Sequence, residues 1–468
     1  MSAYSDFLAA KRISDPATGF ADPPEMPAVM SPHQRDITRW ALRRGRAAIF
    51  AGTGLGKTLM ELVWADHVAR YTGQPVILFA PLGVTAQHVA EAEKWSVPGV
   101  AIIRSMADSA VIGVTNYAKL DRFDLSRFGG VILDESSILK AHDGKTRARL
   151  IEACSHIPFR LCATATPAPN DFMELGNHAE FLGVMSYTEM LAMFFVHDGG
   201  ETQKWRLKGH AQDEFWRWMA GWSVMLRQPS DLGYPNDGYD LPPLLTQQHQ
   251  VAVEYKPDID TGTLFPIEAR TMRERIGARR SSIDSRVTMA VRITLDHFDR
   301  DGKEPWIIWC GLNDEQAEMK KIFGNLAISI TGSQSDDEKE SLMRGWLRGI
   351  APILLTKSTI FGFGMNLQVC SKMTFCGMND SFEQIYQSLR RCWRFGQTRP
   401  VTAHFIASEL EGAVVSNIRR KESDAEHMAE QMVRHMADIS SAELRGAVRD
   451  KSGYELRSVP LPAFMGGI

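Results

Sequence analysis

Cysteine is scarce in this 468-residue chain: Cys154, Cys162, Cys310, Cys370, Cys376 and Cys392, with no Cys-x-x-Cys pair among them. Zinc and redox motifs start from such pairs, and disulfide scaffolds are far denser in cysteine. Five of the six sit in or beside apolar runs, the pattern of reduced core thiols in an intracellular protein. Net charge is nearly absent as well, −3 from 53 basic and 56 acidic residues. The total gives no support for a polyanion partner, so any such surface has to be local. No run approaches the roughly eighteen consecutive apolar residues of a membrane-spanning helix. Asp6, Lys11 and Arg12 stand where a leader would be apolar, so a cytoplasmic protein with no membrane partner is expected. Short-period repeats and low-complexity tracts are missing too.

The hydrophobic share of 44% and the charged share of 23% are those of a globular protein, and the length allows two or three domains. Residues 1–27 show no sustained period and read as a loosely held arm. Ile37, Trp40 and Ala41 then share one face of a short helix over Gln34–Arg44. Beyond it, apolar runs expected as strands (Ala47–Ala51, Val76–Ala80, Val111–Thr115, Val131–Leu133, Arg160–Thr164) alternate with helical patterns such as Thr85–Trp95 and Thr146–Cys154. Near-continuous apolar strands separated by helices predict a parallel sheet covered on both faces.

The rhythm stops near Phe181. The stretch to Arg292 holds an aromatic helix with Phe215, Trp216, Trp218, Met219 and Trp222, read as core in preference to a base-stacking surface. A Pro/Gly/Asp-rich loop follows over Gln228–Pro243. From Trp306 the alternation returns, with strands expected at Trp306–Cys310, Leu326–Ile330, Ile353–Thr356, Met373–Cys376 and Val401–Ile406. A helical pattern through Met428, Met432, Val433 and Met436 reads as a brace on this second lobe. The expected α/β fold is therefore an arm (1–27), a first lobe (28–185), a short helical inter-lobe region (186–290), a second lobe (291–410) and a C-terminal helix and tail (411–468).

Three stretches carry chemistry. After the first strand comes Gly52-Thr53-Gly54-Leu55-Gly56-Lys57-Thr58, and a helical pattern follows it. Glycines let backbone N–H groups approach a polyphosphate, and the helix N-terminus adds positive potential. Lys57 can reach the β- and γ-phosphates of ATP, and the Thr58 hydroxyl can ligate Mg2+. The strict pattern wants glycine where Ala51 stands. The second stretch ends the run Val131-Ile132-Leu133 in Asp134-Glu135, at the sheet edge where open α/β sheets bind ligands. One acid can hold Mg2+, and the other can orient and deprotonate a water. The third stretch, Gln384–Gln397, sets Arg391 and Arg394 one helical turn apart. They either reach across a cleft to a transferring phosphoryl group or form a solvated basic face. One phosphate loop in two α/β lobes places the nucleotide in the cleft between them.

In order along the chain, these stretches resemble superfamily 2 helicases and translocases, and within them the Swi/Snf-type DNA-translocating ATPases. Ala51–Thr58 is similar to their first motif, and Asp134–Ser137 to their acidic box, with Ser-Ser in place of Ala-His or Gly-His. Ala163-Thr164-Ala165-Thr166-Pro167, with Asn170 after it, resembles the third motif, Gly362–Leu367 the fifth and Gln387–Gln397 the sixth. The resemblance spans about residues 30–410 and is nearest to compact helicases carried by bacteriophages and prophages. It implies two RecA-like lobes that close on ATP and Mg2+ and step along nucleic acid, here duplex DNA. It implies further that Gln34 reads adenine, that Gly364 lies at the nucleotide, and that Thr164, Thr166 and Gln387 couple hydrolysis to movement. Contacts to the nucleic-acid backbone would fall at Pro81-Leu82, Thr115-Asn116-Tyr117, Thr331-Gly332 and Thr356. Arg270, Arg273, Arg275, Arg279 and Arg280 form a basic cluster that either neutralises phosphates or faces solvent. Phe363, Arg390 and Trp393 depart from the family pattern, which puts coupling in question more than hydrolysis.

The expectation is an ATP-dependent DNA translocase in phage or bacterial DNA replication, recombination or repair. Two alternatives stand beside it: a strand-separating helicase on single-stranded DNA or RNA, and a nucleotide-switched binding or loading module that does not turn over ATP. Loss of Glu135 or the arginines would mark the module, and all are present. A small-molecule kinase would leave the second lobe unexplained.

Overall fold

The computed structural model describes residues 17–140, 144–168, 171–197, 205–252, 280–361, 366–377, 382–409 and 412–444. The first half opens with α1 (Pro32–Arg44), β1 (Arg46–Ala51), α2 (Lys57–Thr72), β2 (Val76–Ala80), α3 (Thr85–Lys94), β3 (Val100–Ile102), β4 (Ile112–Asn116) and β5 (Gly130–Asp134). It continues with α4 (Lys145–Cys154), β6 (Phe159–Thr164), α5 (Leu175–Leu182), α6 (Tyr187–Phe194), an antiparallel pair β7 (Phe195–His197) and β8 (Trp205–Leu207), α7 (Gln212–Trp222) and β9 (Ser223–Leu226). Seven strands form one parallel sheet in the order β3-β4-β2-β5-β6-β1-β9. Alternate side chains feed two cores, one on each face: Phe50, Phe79 and Leu133 on one, Ile49, Leu78 and Ile132 on the other. That is why these strands are largely apolar, with polar residues mostly at their ends.

The second half holds β10 (Leu244–Val251), α8 (Ile283–Asp301), β11 (Trp306–Cys310), α9 (Asn313–Phe323), β12 (Ala327–Ser329), α10 (Asp336–Leu347), β13 (Ile353–Thr356), α11 (Ser358–Phe361), β14 (Lys372–Cys376), α12 (Phe382–Cys392), β15 (Val401–Ser408) and α13 (Gly412–Leu444). Its sheet is again parallel, in the order β10-β15-β14-β11-β13-β12. Ile307 and Trp309 enter one core, Trp306 and Ile308 the other. The α/β expectation with two parallel sheets holds at this level. All six cysteines are buried, and none is joined in a disulfide. No helix among the described residues is long and apolar enough to cross a membrane.

Several elements differ from expectation. The stretch read as a helical inter-lobe region contributes a strand to each sheet: β9 pairs with β1, and β10 pairs with β15. The chain therefore passes from one sheet to the other between Leu226 and Leu244. The aromatic helix α7 is core of the first lobe, with Phe215, Trp216 and Trp222 buried. The C-terminal helix α13 packs chiefly on the first lobe, with smaller contacts to α12 and β15 of the second. Met432, Val433 and Met436 join the α7 core, and the Trp216 ring stacks on His435 at 5.6 Å. The apolar face of α7 leaves a groove that α13 fills. Within the stretch read as a loose arm, Phe20 and Met26 are buried, and residues 18–20 donate backbone N–H groups to the last turn of α1. Residues 1–16 lie outside the described residues.

Candidate functional site

The loop between β1 and α2 is shaped by its glycines. Gly54 and Gly56 take φ of 92° and 80°, the left-handed region that side chains disfavour. A Cβ on Gly54 would come within 2.9 Å of the backbone N of Phe395 in the other lobe. A Cβ on Gly56 would strike Gln34 Nε2. Lys57, the first residue of α2, donates from Nζ to the Ala51 carbonyl at 2.8 Å and the Gly52 carbonyl at 3.3 Å. Burial lowers the pKa of Lys57, with Glu135, Asp134 and Glu61 opposing and Arg394 adding to the shift. Gln34 pins the loop: Nε2 donates to the Leu55 carbonyl at 3.0 Å, and Oε1 accepts the Ser31 N–H at 3.0 Å.

The acids lie at the end of β5, two strands from β1. Asp134 is 8% exposed, and its Oδ1 accepts the N–H of Glu135 at 3.0 Å. Glu135 itself adopts φ of 54°, an uncommon conformation for a residue with a side chain and one that marks sites where position matters. Tyr117 holds the turn by donating to the Asp134 carbonyl at 2.6 Å. Thr164, at the end of β6, donates to Glu135 Oε2 at 3.4 Å and accepts the N–H of Thr166 at 3.1 Å. The acid box and the following strand end are thus linked directly.

Behind Asp134 lie two residues that the sequence reading missed. His88 Nε2 is 3.4 Å from Asp134 Oδ2 and 3.3 Å from Glu61 Oε2, and its Nδ1 meets the Val84 carbonyl at 2.9 Å. Burial pulls the imidazole down, but the Glu61 hydrogen bond and both carboxylate charges outweigh it and raise its pKa to about 9. Asp134 is raised to about 7 by burial and by Glu61, against His88 and Lys57. No local motif announces this cluster, because His88 and Glu61 stand 27 residues apart and meet only in the fold.

Across the cleft, α12 brings Arg391 to the same place. It is 3% exposed, and its Nη2 donates to Gln387 Oε1 at 3.2 Å. Its pKa falls to about 10 through burial, with Glu135 and Asp134 pulling the other way. A solvated basic face is ruled out for Arg391. Arg394 is half-buried one turn on, with its pKa lowered by burial and raised by Glu91 and Glu135. Lysine, two acids and two arginines therefore converge from two lobes.

No protein-family profile matches this chain, and a search of curated proteins finds no relative.

Pro81, Thr115 and Asn116 line a groove of about 650 Å³ whose other wall carries Thr359, Asn366 and Arg344 of the second lobe. The side-chain oxygens of Thr115 and Asn116 are buried there with no hydrogen-bond partner among the described residues. Thr356 is instead buried under the second sheet's edge, where its Oγ1 donates to the Ile330 carbonyl at 3.3 Å. Thr331 and Gly332 lie just beyond β12 and do not line that groove. Gly364, Asn170, Phe363, Arg270, Arg273, Arg275 and Arg279 fall outside the described residues; Arg280 is exposed. Two residues that depart from the family pattern pair with one another: the Arg390 guanidinium lies over the Trp393 ring at 4.5 Å.

Proposed function

We propose that the chain is a nucleic-acid-dependent ATPase that couples ATP hydrolysis to movement along duplex DNA, in phage or bacterial DNA replication, recombination or repair. The single observation that carries this is the convergence at one phosphate loop of Asp134 and Glu135 from one parallel sheet with Arg391 and Arg394 from the other. A kinase or a simple switch has no need of arginines delivered by a second α/β lobe.

The donor set fits Mg2+ and a triphosphate: a carboxylate at Asp134, a hydroxyl at Thr58, and a glycine-rich turn at a helix N-terminus. Bound there, Mg2+ supplies neutralisation of the charge on the β- and γ-phosphate oxygens. Lys57 releases its loop carbonyls to bind phosphate oxygens. Glu135, held by Thr164, orients the attacking water and takes its proton. Arg391 and Arg394 stabilise the charge that spreads over the transferring phosphoryl group. Because Thr164 touches Glu135 and leads into Thr166, a change at the acid reaches the segment that faces the second lobe. Thr115 and Asn116, small and polar, suit backbone contacts that position without reading sequence, and Pro81 lies beside them.

Steady-state ATPase without nucleic acid and with single-stranded DNA, duplex DNA or RNA tests the reading, beside Lys57→Ala and Arg391→Ala. Stimulation by duplex that both variants abolish supports a translocase. Stimulation chiefly by single strands or RNA moves the reading to a strand-separating helicase. Bound ATP with no turnover on any substrate leaves a nucleotide-switched binding module.

A further inference from the structure

We propose that Glu61, His88 and Asp134 form a buried site for a divalent first-row transition metal of the Zn2+ class, separate from the Mg2+ that accompanies a nucleotide.

The three side chains come from α2, α3 and β5, and their donor atoms lie within 4.8 Å of one another. All three residues are buried, Asp134 being the most exposed of them. His88 sets the chemistry. Its Nδ1 donates to the Val84 carbonyl at 2.9 Å, the kind of contact that fixes the ring of a metal-ligating histidine. That leaves Nε2 facing a carboxylate oxygen of Glu61 and another of Asp134. Three electron-pair donors that face one another need a cation between them. A proton on Nε2 is one such cation. Hydrogen bonds between charged partners close to about 2.7–2.9 Å, however, and Nε2 stands 3.3 Å from Glu61 and 3.4 Å from Asp134. Two ligands bonded to one metal at about 2.1 Å lie about 3.4 Å apart at the tetrahedral angle, so these separations are those of coordination edges.

Glu61 supplies an independent sign. Its Oε1 is buried with no hydrogen-bond partner among the described residues. Such an orphan is costly, and a metal that takes Glu61 through both oxygens removes the cost. One imidazole and two carboxylates suit Zn2+, Co2+ and Mn2+, whereas Mg2+ favours oxygen ligands in an octahedron. A metal there draws on the same Asp134 carboxylate as nucleotide-bound Mg2+, so occupancy should slow hydrolysis. That consequence alone rests on the nucleotide reading.

Titration of the full chain with Co2+, without nucleotide and with Mg2+ in excess, tests the proposal by absorption. One Co2+ should bind per chain with the visible bands of nitrogen and oxygen ligation, and Zn2+ should displace it. Glu61→Gln, His88→Gln and Asp134→Asn should each weaken Co2+ about a hundredfold, since even an outer-shell partner is worth about 10–100-fold. Thr58→Ala, on the phosphate loop, should leave Co2+ affinity unchanged. Zn2+ should raise the urea midpoint of the parent and not that of Glu61→Gln. Midpoints without metal show which variants fold, and Asp134→Asn carries the test if the two more buried variants do not. Co2+ affinity that survives all three substitutions would overturn the proposal. So would a near-ultraviolet thiolate band that places Co2+ on the cysteines, or an equal loss in Thr58→Ala that places it at the nucleotide Mg2+ site. Failure of both Co2+ and Zn2+ to bind overturns this site and leaves the phosphate-loop reading standing. Co2+ binding in a chain that does not bind Mg2+-ATP overturns the phosphate-loop reading and leaves this site.

Discussion

Arg391 shows what a buried charge needs. Its guanidinium is removed from water, and the carboxylates of Glu135 and Asp134 offset part of that cost across the cleft. Arg391→Ala should cut kcat by about a thousandfold, the lower end for an arginine of this role, with a much smaller change in ATP affinity. Arg391→Lys should recover little, because a point charge lacks the planar fork. Equal losses in kcat and binding, read from single-turnover kinetics, would argue for a structural arginine instead. A second residue-scale prediction concerns acid stability. His404 is pushed down to about 4 by burial and by the charges of His249, Lys372 and His297. The native state thus binds fewer protons than the unfolded chain as pH falls from about 6.5 towards 4, so stability is full above that window and declines through it. Urea midpoints at pH 7 and pH 5 should differ less in His404→Gln than in the parent. The difference shrinks without vanishing, since His178 in the first lobe is also lowered to about 4 by burial. An unchanged slope would remove His404 from the account.

Elements differ in how far the sequence announces them. Strands buried on both faces, such as Val76–Ala80 and Trp306–Cys310, are apolar runs and stand out with their limits. The β10 strand, Leu-Leu-Thr-Gln-Gln-His-Gln-Val, does not, because it is a sheet edge whose side chains mostly meet water and whose place is set by backbone pairing with β15. The four residues of β9 run on from α7 without a turn signal and are hidden for that reason. The phosphate loop, the acid pair and the arginine pair were legible because each is one contiguous stretch with a fixed spacing. His88 and Glu61 were not, since only tertiary packing brings them to the site. The face of α13 was visible in the spacing of Met432, Val433 and Met436, but a period does not say which partner covers it. That partner makes a test. Trp216→Ala removes a buried ring that stacks on His435 and should cost about 3–5 kcal/mol in urea unfolding. It should also expose the α13 backbone to limited proteolysis. A loss below about 1 kcal/mol would mean that α13 docks by other contacts.

The whole molecule places one half of the candidate site on each sheet. In the described residues, the halves are joined by the segment 227–243, by the Tyr239–Phe395 stack, by Trp393 donating to the Pro242 carbonyl at 2.7 Å, and by α13. A ligand held by both halves stabilises both, by RT ln(1 + [L]/Kd), about 2.7 kcal/mol at a hundredfold excess over Kd. Held by the phosphate loop alone, it would stabilise the first sheet only. Hydrogen exchange of Glu135→Gln, chosen to slow turnover, reads the two sheets separately. Saturating ATP with Mg2+ should slow exchange in β5 and also in β13 and β14, by up to about a hundredfold where opening is coupled to the site. Adding Arg391→Ala and Arg394→Ala should keep the β5 protection and erase that of β13 and β14. Protection of the second sheet that survives loss of both arginines would mean that the Tyr239–Phe395 stack or α13 transmits closure. Protection confined to β5 from the start would leave the second lobe outside the nucleotide cycle and remove the physical basis for stepping.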